Sequence, residues 1–304
     1  MRVKNRKGEN QQFLKVATVA MQCDISPEKN IERIERFIKR IKKEYPKVEL
    51  IVFGETILGW YFNPGKTKEY HEEIAETIPG ESTKRLSEIA KAENVYITFG
   101  MSEREGRSVF NSQVMINANG GIDAVHRKFF MRDSTFQAGN NPVTITDIKG
   151  LKIAFVICFD IRSIEVRKAL KKSKKDIIIH SMADDEDPKF FGAGFLSRSF
   201  GTWYMTANRY GFEEEKFWNG HMFIANPLGK LLVKGFDEEQ YLYYELKVNT
   251  KESRFKKFNR NIFLQFSLVI HILKHFRIAS SFVKDASNVR RKKRHNLREK
   301  KKNN

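Results

Sequence analysis

Residues 95–129 run as three strand-like stretches in succession, VYITFGMSE, SVFNSQVMIN and GGIDAVHRKF, separated by the turn-forming EGR and ANGG. Connections this short join antiparallel neighbours, because parallel strands need a crossover of a dozen or more residues. Around that block, strand-like apolar runs alternate with amphipathic helical ones. VATVAM precedes SPEKNIERIERFIKRIKKEY, whose Ile31, Ile34, Phe37, Ile38 and Ile41 recur at spacings of three and four. They form one apolar stripe, with Ser26 placed as N-cap and Pro27 at the first helical position. KTKEYHEEIAETIPG reads as a helix stopped by Pro79-Gly80, STKRLSEIAKAEN as one starting at Ser82, and SIEVRKALKKS as a third. ELIVFGE, LKIAFVICF, DIIIHSM, WYMTANR, GHMFIAN, LLVKGF and YLYYELKV read as further strands. This order excludes an all-parallel barrel. It implies an α/β fold in which two mixed sheets pack as a sandwich covered by helices.

The net charge of +19 is unevenly placed: residues 251–304 hold 17 Lys/Arg against 3 Asp/Glu, leaving 39 against 34 before them. The near-balanced body argues against a site built for a polyanion. Three parts follow: a basic N-terminal segment, 1–13; a body, 14–248; and an appended C-terminal helix and basic tail, 249–304. In the last, NIFLQFSLVIHILKHFRIASSF reads as an apolar helix whose charge-free core, Ile262 to Ile270, is far short of the ~20 residues that span a bilayer. Such a helix is expected to dock on protein, with interfacial membrane contact as the alternative. The run from Arg290 to Lys302 is expected to be disordered and to attract a membrane surface or polyanion. Two cysteines, Cys23 and Cys158, make no disulfide framework and lack metal-ligand spacing. With no secretory h-region at the start, a cytoplasmic setting is expected.

Three of the apolar runs end on reactive side chains. Glu55 closes LIVFGET, Lys128 sits in AVHRKFF, and Cys158 sits in IAFVICFDIR. Carboxylate, ammonium and thiol delivered by three strand ends suit a general base, an oxyanion stabiliser and a nucleophile. Each has a plainer reading, respectively a structural ion pair, a solvated basic turn and a buried structural cysteine. Because Cys158 stands where a strand hands over to a helix, a helix N-terminus aimed at it would favour the thiolate. Cys23 has no such neighbours and reads as structural.

In order and separation this trio resembles the nitrilase, or carbon–nitrogen hydrolase, superfamily. KVATVAMQ, Asn30, IPGESTKRLSEIAKAENVYITFG, Asn111, TANRYG and NGHMFIANPLGK extend the resemblance over roughly residues 14 to 248. It implies an α-β-β-α sandwich whose copies pair through helical faces, so a homodimer or larger homo-oligomer is expected. It also implies catalysis by Glu55, Lys128 and Cys158, with the backbone N–H of Phe159 as a second oxyanion donor. No metal or organic cofactor is implied. Asp160, Arg162 and Glu165 match the family's post-cysteine pattern and read as scaffold, with Arg162 and Glu165 able to pair at helical spacing. Two positions depart from the family. In its E-x-x-x-F-x-x-G run, Phe136 and Gly139 keep the spacing, but Arg132 replaces the glutamate; adjacent Asp133 is the possible helper. RSFGTWYMTANR also lacks the family's acidic residue, and its Arg198 stands two residues nearer TANR than usual.

Trp60, Tyr61 and Phe62 could line a pocket. Asp184, Asp185, Glu186 and Asp187 read as a solvated acidic loop in preference to a site for a cationic substrate. The expected activity is thiol-dependent hydrolysis of a small linear amide or carbamoyl compound. Acyl transfer to an amine, and a catalytically weak member kept for binding or assembly, are the alternatives.

Overall fold

The computed structural model describes residues 11–131, 133–185 and 193–249. The apolar helix and basic tail expected after residue 249 lie outside the described residues, as do Arg132, Glu186 and Asp187.

β1 (Gln11–Gln22), β2 (Leu50–Val52), β3 (Tyr96–Glu105), β4 (Ser108–Ile116) and β5 (Ile122–Arg127) form one side of the strand path. β6 (Ile145–Ile148), β7 (Leu151–Ile157), β8 (Ile177–Ser181) and β9 (Trp203–Glu213) form the other. The strands β3, β4 and β5 pair antiparallel, as their short turns require. β9 joins the two sides: Trp203 to Ala207 run parallel to β8, and Asn208 to Tyr210 run parallel to β1. β10 (Lys216–Asn219) and β11 (Met222–Ala225) pair with β9, β12 (Leu231–Gly235) with β11, and β13 (Gln240–Asn249) lies antiparallel along β1.

Alternation along the strands builds two cores. Leu14, Val16, Leu50, Val52 and Met115 meet Ile153, Phe155, Ile177, Ile179 and Met205 between the sheets. The opposite side chains of β1 and β2, including Ala17, Val19 and Ile51, together with Phe53 just after β2, pack under α1 (Pro27–Glu44) and α3 (Glu81–Glu93). The α1 stripe is buried as its spacing predicts, at roughly 1.5–3 kcal/mol for each large apolar side chain. On the other sheet, α4 (Ile164–Lys172) buries Val166 and Leu170, and α5 (Ala193–Phe200) packs on β9 and β11. The layers are those of an α-β-β-α sandwich.

Three local expectations need correction. α2 (Thr67–Ile74) ends well before Pro79, because Glu76 leaves the helix to pair with the edge of β3: its N–H bonds Ser102 O, and its carbonyl accepts from Arg104 N–H. Next, α3 starts at Glu81, one residue before the expected Ser82, with Gly80 as its cap. Finally, Cys158–Arg162 is a 3₁₀ turn, and the α-helix begins only after Ser163, whose Oγ accepts from the Glu165 and Val166 N–H groups. β6, β10 and α5 were not anticipated.

Among the described residues, no helix is long and apolar enough to cross a membrane.

Candidate active site

Strand direction brings the reactive groups to one edge. β2, β3, β7, β8, β9 and β1 are mutually parallel where they pair, and β5 regains that direction through two antiparallel steps. The residues that follow β2, β5, β7 and β8 therefore emerge together, at the carboxyl ends where open α/β sheets hold ligands. Those residues include Glu55, Lys128, Cys158 and Ala183.

Glu55 is fully buried. Its Oε1 accepts from Lys128 Nζ at 2.6 Å and from Asn111 Nδ2 at 2.7 Å, and its Oε2 accepts from Ala183 N–H at 3.0 Å. Gly54 makes room for this, since a Cβ there would stand 3.0 Å from both Met182 O and Asn208 C. Arg209, also fully buried, donates from Nη1 to the carbonyls of Glu55 and Thr56, each at 2.9 Å, and from Nε to Glu213 at 2.7 Å. Glu213 in turn accepts from the Tyr61 and Phe62 N–H groups at 2.9 and 3.1 Å. The pair thus fixes the loop that carries both Glu55 and Tyr61.

Lys128 is 3 % exposed, and its ammonium lies 5.9 Å from the Tyr61 ring centroid. Burial alone would lower its pKa, but Glu55, Tyr61 and Cys158 together hold it well above the usual lysine range. Its backbone is clamped on both sides, N–H to Asn111 O and carbonyl from Gly139 N–H, both at 2.8 Å. Phe136 is buried and packs on His71.

Cys158 turns the corner out of β7 with φ +41°, a left-handed conformation that a residue with a Cβ holds only under constraint. Its Sγ lies 3.8 Å from Ala183 O, on the residue whose N–H holds Glu55. The thiol is pushed well above its usual pKa by burial and by Glu55, with Lys128 offsetting only part. This direction runs against the expected thiolate, and the α-helix expected to favour it starts only at Ile164. Asp160, fully buried, accepts from Phe129 N–H at 3.1 Å and Phe130 N–H at 2.6 Å, tying the Lys128 loop to the cysteine turn. That is scaffold work, as expected. Glu165 bonds Ser163 Oγ at 2.6 Å, and the Arg162 guanidinium sits 4.5 Å from the Phe159 ring centroid.

Asp133 stands outside the hydrogen-bonded cluster, exposed, with its Oδ1 accepting from Thr135 N–H at 2.9 Å. Tyr61 does line the site, set edge-on to Trp218 at 5.7 Å, whereas Phe62 is exposed. Asp184 is buried, with its main chain clasped by Asn208, which corrects the expected solvated loop at that position, whereas Asp185 is exposed. Cys23 is buried, its thiol pushed up to about 12 by burial, as suits a structural residue. Among the described residues no cluster of His, Cys, Asp or Glu is gathered as a metal site. Sequence reading passed over Asn111, Arg209, Glu213 and Ala183 as contributors to the site. The one usable signal was an arginine and a glutamate four apart, Arg209 and Glu213, in one strand.

A cluster of carboxylate, ammonium and thiol at strand ends can exchange a proton and attack an electrophilic carbon. Comparison with known proteins agrees. Residues 15–254 match the carbon–nitrogen hydrolase family. A nitrilase of Pyrococcus abyssi is 30% identical over 236 residues, covering 75% of this chain and 87% of that protein. A human omega-amidase is 24% identical over 251 residues, 76% of this chain and 88% of that protein. The solved structure of a Saccharomyces cerevisiae member of branch 10 of the nitrilase superfamily superposes with a TM-score of 0.70 at 22% identity, covering 78% of this chain and 90% of that one.

Proposed function

This chain belongs to the carbon–nitrogen hydrolase family, and we propose that it cleaves a non-peptide C–N bond of a small linear amide or carbamoyl compound through a thioester on Cys158. The observation that carries this reading is the single cluster in which Glu55 holds Lys128 and Ala183 while Ala183 holds the Cys158 sulfur. Similarity to a nitrilase and to omega-amidases supports the bond class.

Glu55 takes the thiol proton as sulfur attacks the carbonyl carbon, and the C=O π pair moves onto oxygen. Neutralising Glu55 in this way unmasks the Lys128 charge as the oxygen becomes negative. Lys128 and the Phe159 N–H stabilise that oxyanion, each donor worth about 10²–10³ in rate. The adduct collapses, the C–N bond breaks, and Glu55 returns its proton to the leaving nitrogen. Glu55 then deprotonates water, which attacks the thioester, and the departing sulfur recovers the proton. General base catalysis of this kind contributes about 10²–10⁴. A resting thiol is no obstacle, since the proton acceptor is built into the site.

The purified full chain should be assayed against a panel of linear amides, carbamoyl compounds and nitriles, with and without hydroxylamine. Ammonia release from amides or carbamoyl compounds, with hydroxamate formed when hydroxylamine traps the thioester, supports the proposal; preferential transfer of the acyl group to an ordinary amine in place of water would assign acyl transfer. Activity on nitriles alone, or on none of the panel, would overturn it.

A further inference from the structure

We propose that His180 and Tyr204 aim the oxyanion donor from behind: His180 fixes the Cys158–Phe159 peptide plane, and Tyr204 fixes His180. This deepens the reading of Cys158 as nucleophile and rests on it.

His180 Nε2 donates to Cys158 O at 2.8 Å, and the Tyr204 hydroxyl lies 2.8 Å from His180 Nδ1. One proton assignment serves both bonds. A carbonyl only accepts, so Nε2 carries the proton and Nδ1 accepts from the phenol. Both side chains are buried, His180 at 3 % exposure and Tyr204 at 0 %. Burial holds His180 neutral, pushing its pKa down to about 4, and raises the Tyr204 phenol above its usual range, so the donor and acceptor roles stay fixed.

The geometry then transmits the grip. The Cys158–Phe159 peptide is trans and planar, so its C=O and N–H point in opposite directions. Clamping the Cys158 oxygen on one side directs the Phe159 N–H on the other. A clamp is needed here, because Cys158 sits at φ +41°, a conformation that costs about 1–3 kcal/mol and persists only when its surroundings enforce it. The 3₁₀ turn that follows has poorer hydrogen-bond geometry than an α-helix, so a further hydrogen bond on this peptide adds to what holds it. A donor on the carbonyl also polarises the amide and strengthens its N–H. Finally, His180 lies on β8, three residues before the Ala183 that follows the strand, holds Glu55 and faces the sulfur, so clamp and site are carried by the same strand end. Neither residue contacts the reacting atoms in this arrangement; they are positioning residues.

The test compares kcat, KM and iodoacetamide alkylation of Cys158 in the full-length wild type, His180→Leu, His180→Gln and Tyr204→Phe. Alkylation displaces iodide at an sp³ carbon and forms no oxyanion, so it reports the sulfur alone. His180→Leu should lower kcat about 10²-fold, on the scale of a lost oxyanion donor, with KM and the alkylation rate within about twofold of wild type. His180→Gln, which can present an amide N–H at the Nε2 position, should recover at least about tenfold of that loss. Should His180→Leu fail to fold, Tyr204→Phe keeps the ring and carries the test, with kcat expected to fall several-fold at constant alkylation. Unchanged kcat in the variant that folds, or kcat and alkylation falling together, would overturn the proposal. If the wild type forms no acyl adduct on Cys158, the failure belongs to the nucleophile reading; if it does and the clamp variants keep full kcat, it belongs to the clamp.

Discussion

Replacing Glu55 by Gln removes one charge and almost no volume from a site with 0 % exposure. Lys128, 2.6 Å away, is left as a buried cation without its counter-charge. Breaking one side of a buried ion pair costs about 3–5 kcal/mol, so the urea midpoint should fall accordingly. Adding Lys128→Met should recover most of that loss, since a neutral pair of similar volume no longer strands a charge. Turnover in Glu55→Gln should fall by at least the 10²–10⁴ of one general base. Alkylation of Cys158 should move the other way. Glu55 is, after burial, the main cause holding the thiol protonated, and Lys128 already pulls towards thiolate. Each unit by which the thiol pKa drops raises the thiolate fraction about tenfold below that pKa. The assays are urea unfolding of the single and double variants, with iodoacetamide labelling and substrate turnover run at one pH. Destabilisations that simply add in the double variant would refute the shared buried pair. Alkylation falling in step with turnover would refute a resting protonated thiol.

Asp133→Asn should lower kcat less than threefold, because Asp133 is exposed and already bonded to Thr135 N–H; a loss of about 10²-fold in a kinetic assay would restore it as an acid–base helper. Asp160→Ala strands the Phe129 and Phe130 N–H groups, each at about 1–3 kcal/mol, and should unfold at clearly lower urea while slowing turnover through the Lys128 loop. His71 and His180 are both lowered by burial from 6.5 to about 4. They stay neutral in the fold, so stability is full above pH 6.5 and falls towards pH 4 as the unfolded chain alone takes up protons, by roughly 3 kcal/mol each. His71→Gln should flatten that part of the pH profile in urea titrations.

The three reactive residues were legible because each ends an apolar strand, where a charged or nucleophilic group has no packing reason to be. Strand direction then carries them to one edge without further information. Their partners were not legible. Asn111 reaches Glu55 across 56 positions of sequence, and Arg209 reaches it across 154; such contacts follow from sheet order, and no local spacing encodes it. The helix SIEVRKALKKS was read correctly, but its distance from Cys158 was not: Asp160 is spent on the backbone of another loop, a 3₁₀ turn fills the gap, and Ser163 caps the helix. In the same way α2 looked longer than it is because pairing with β3 outcompetes helical propensity at Glu76.

The most direct measurement is intact-protein and peptide mass spectrometry of the full chain, acid-quenched during turnover of an amide found active in the panel. An adduct of the acyl mass should appear on the peptide bearing Cys158, vanish on completion of hydrolysis, and be absent from Cys158→Ser, which should fold normally and lose turnover by several orders of magnitude. An adduct on Cys23, or turnover undiminished in Cys158→Ser, would contradict catalysis through a Cys158 thioester.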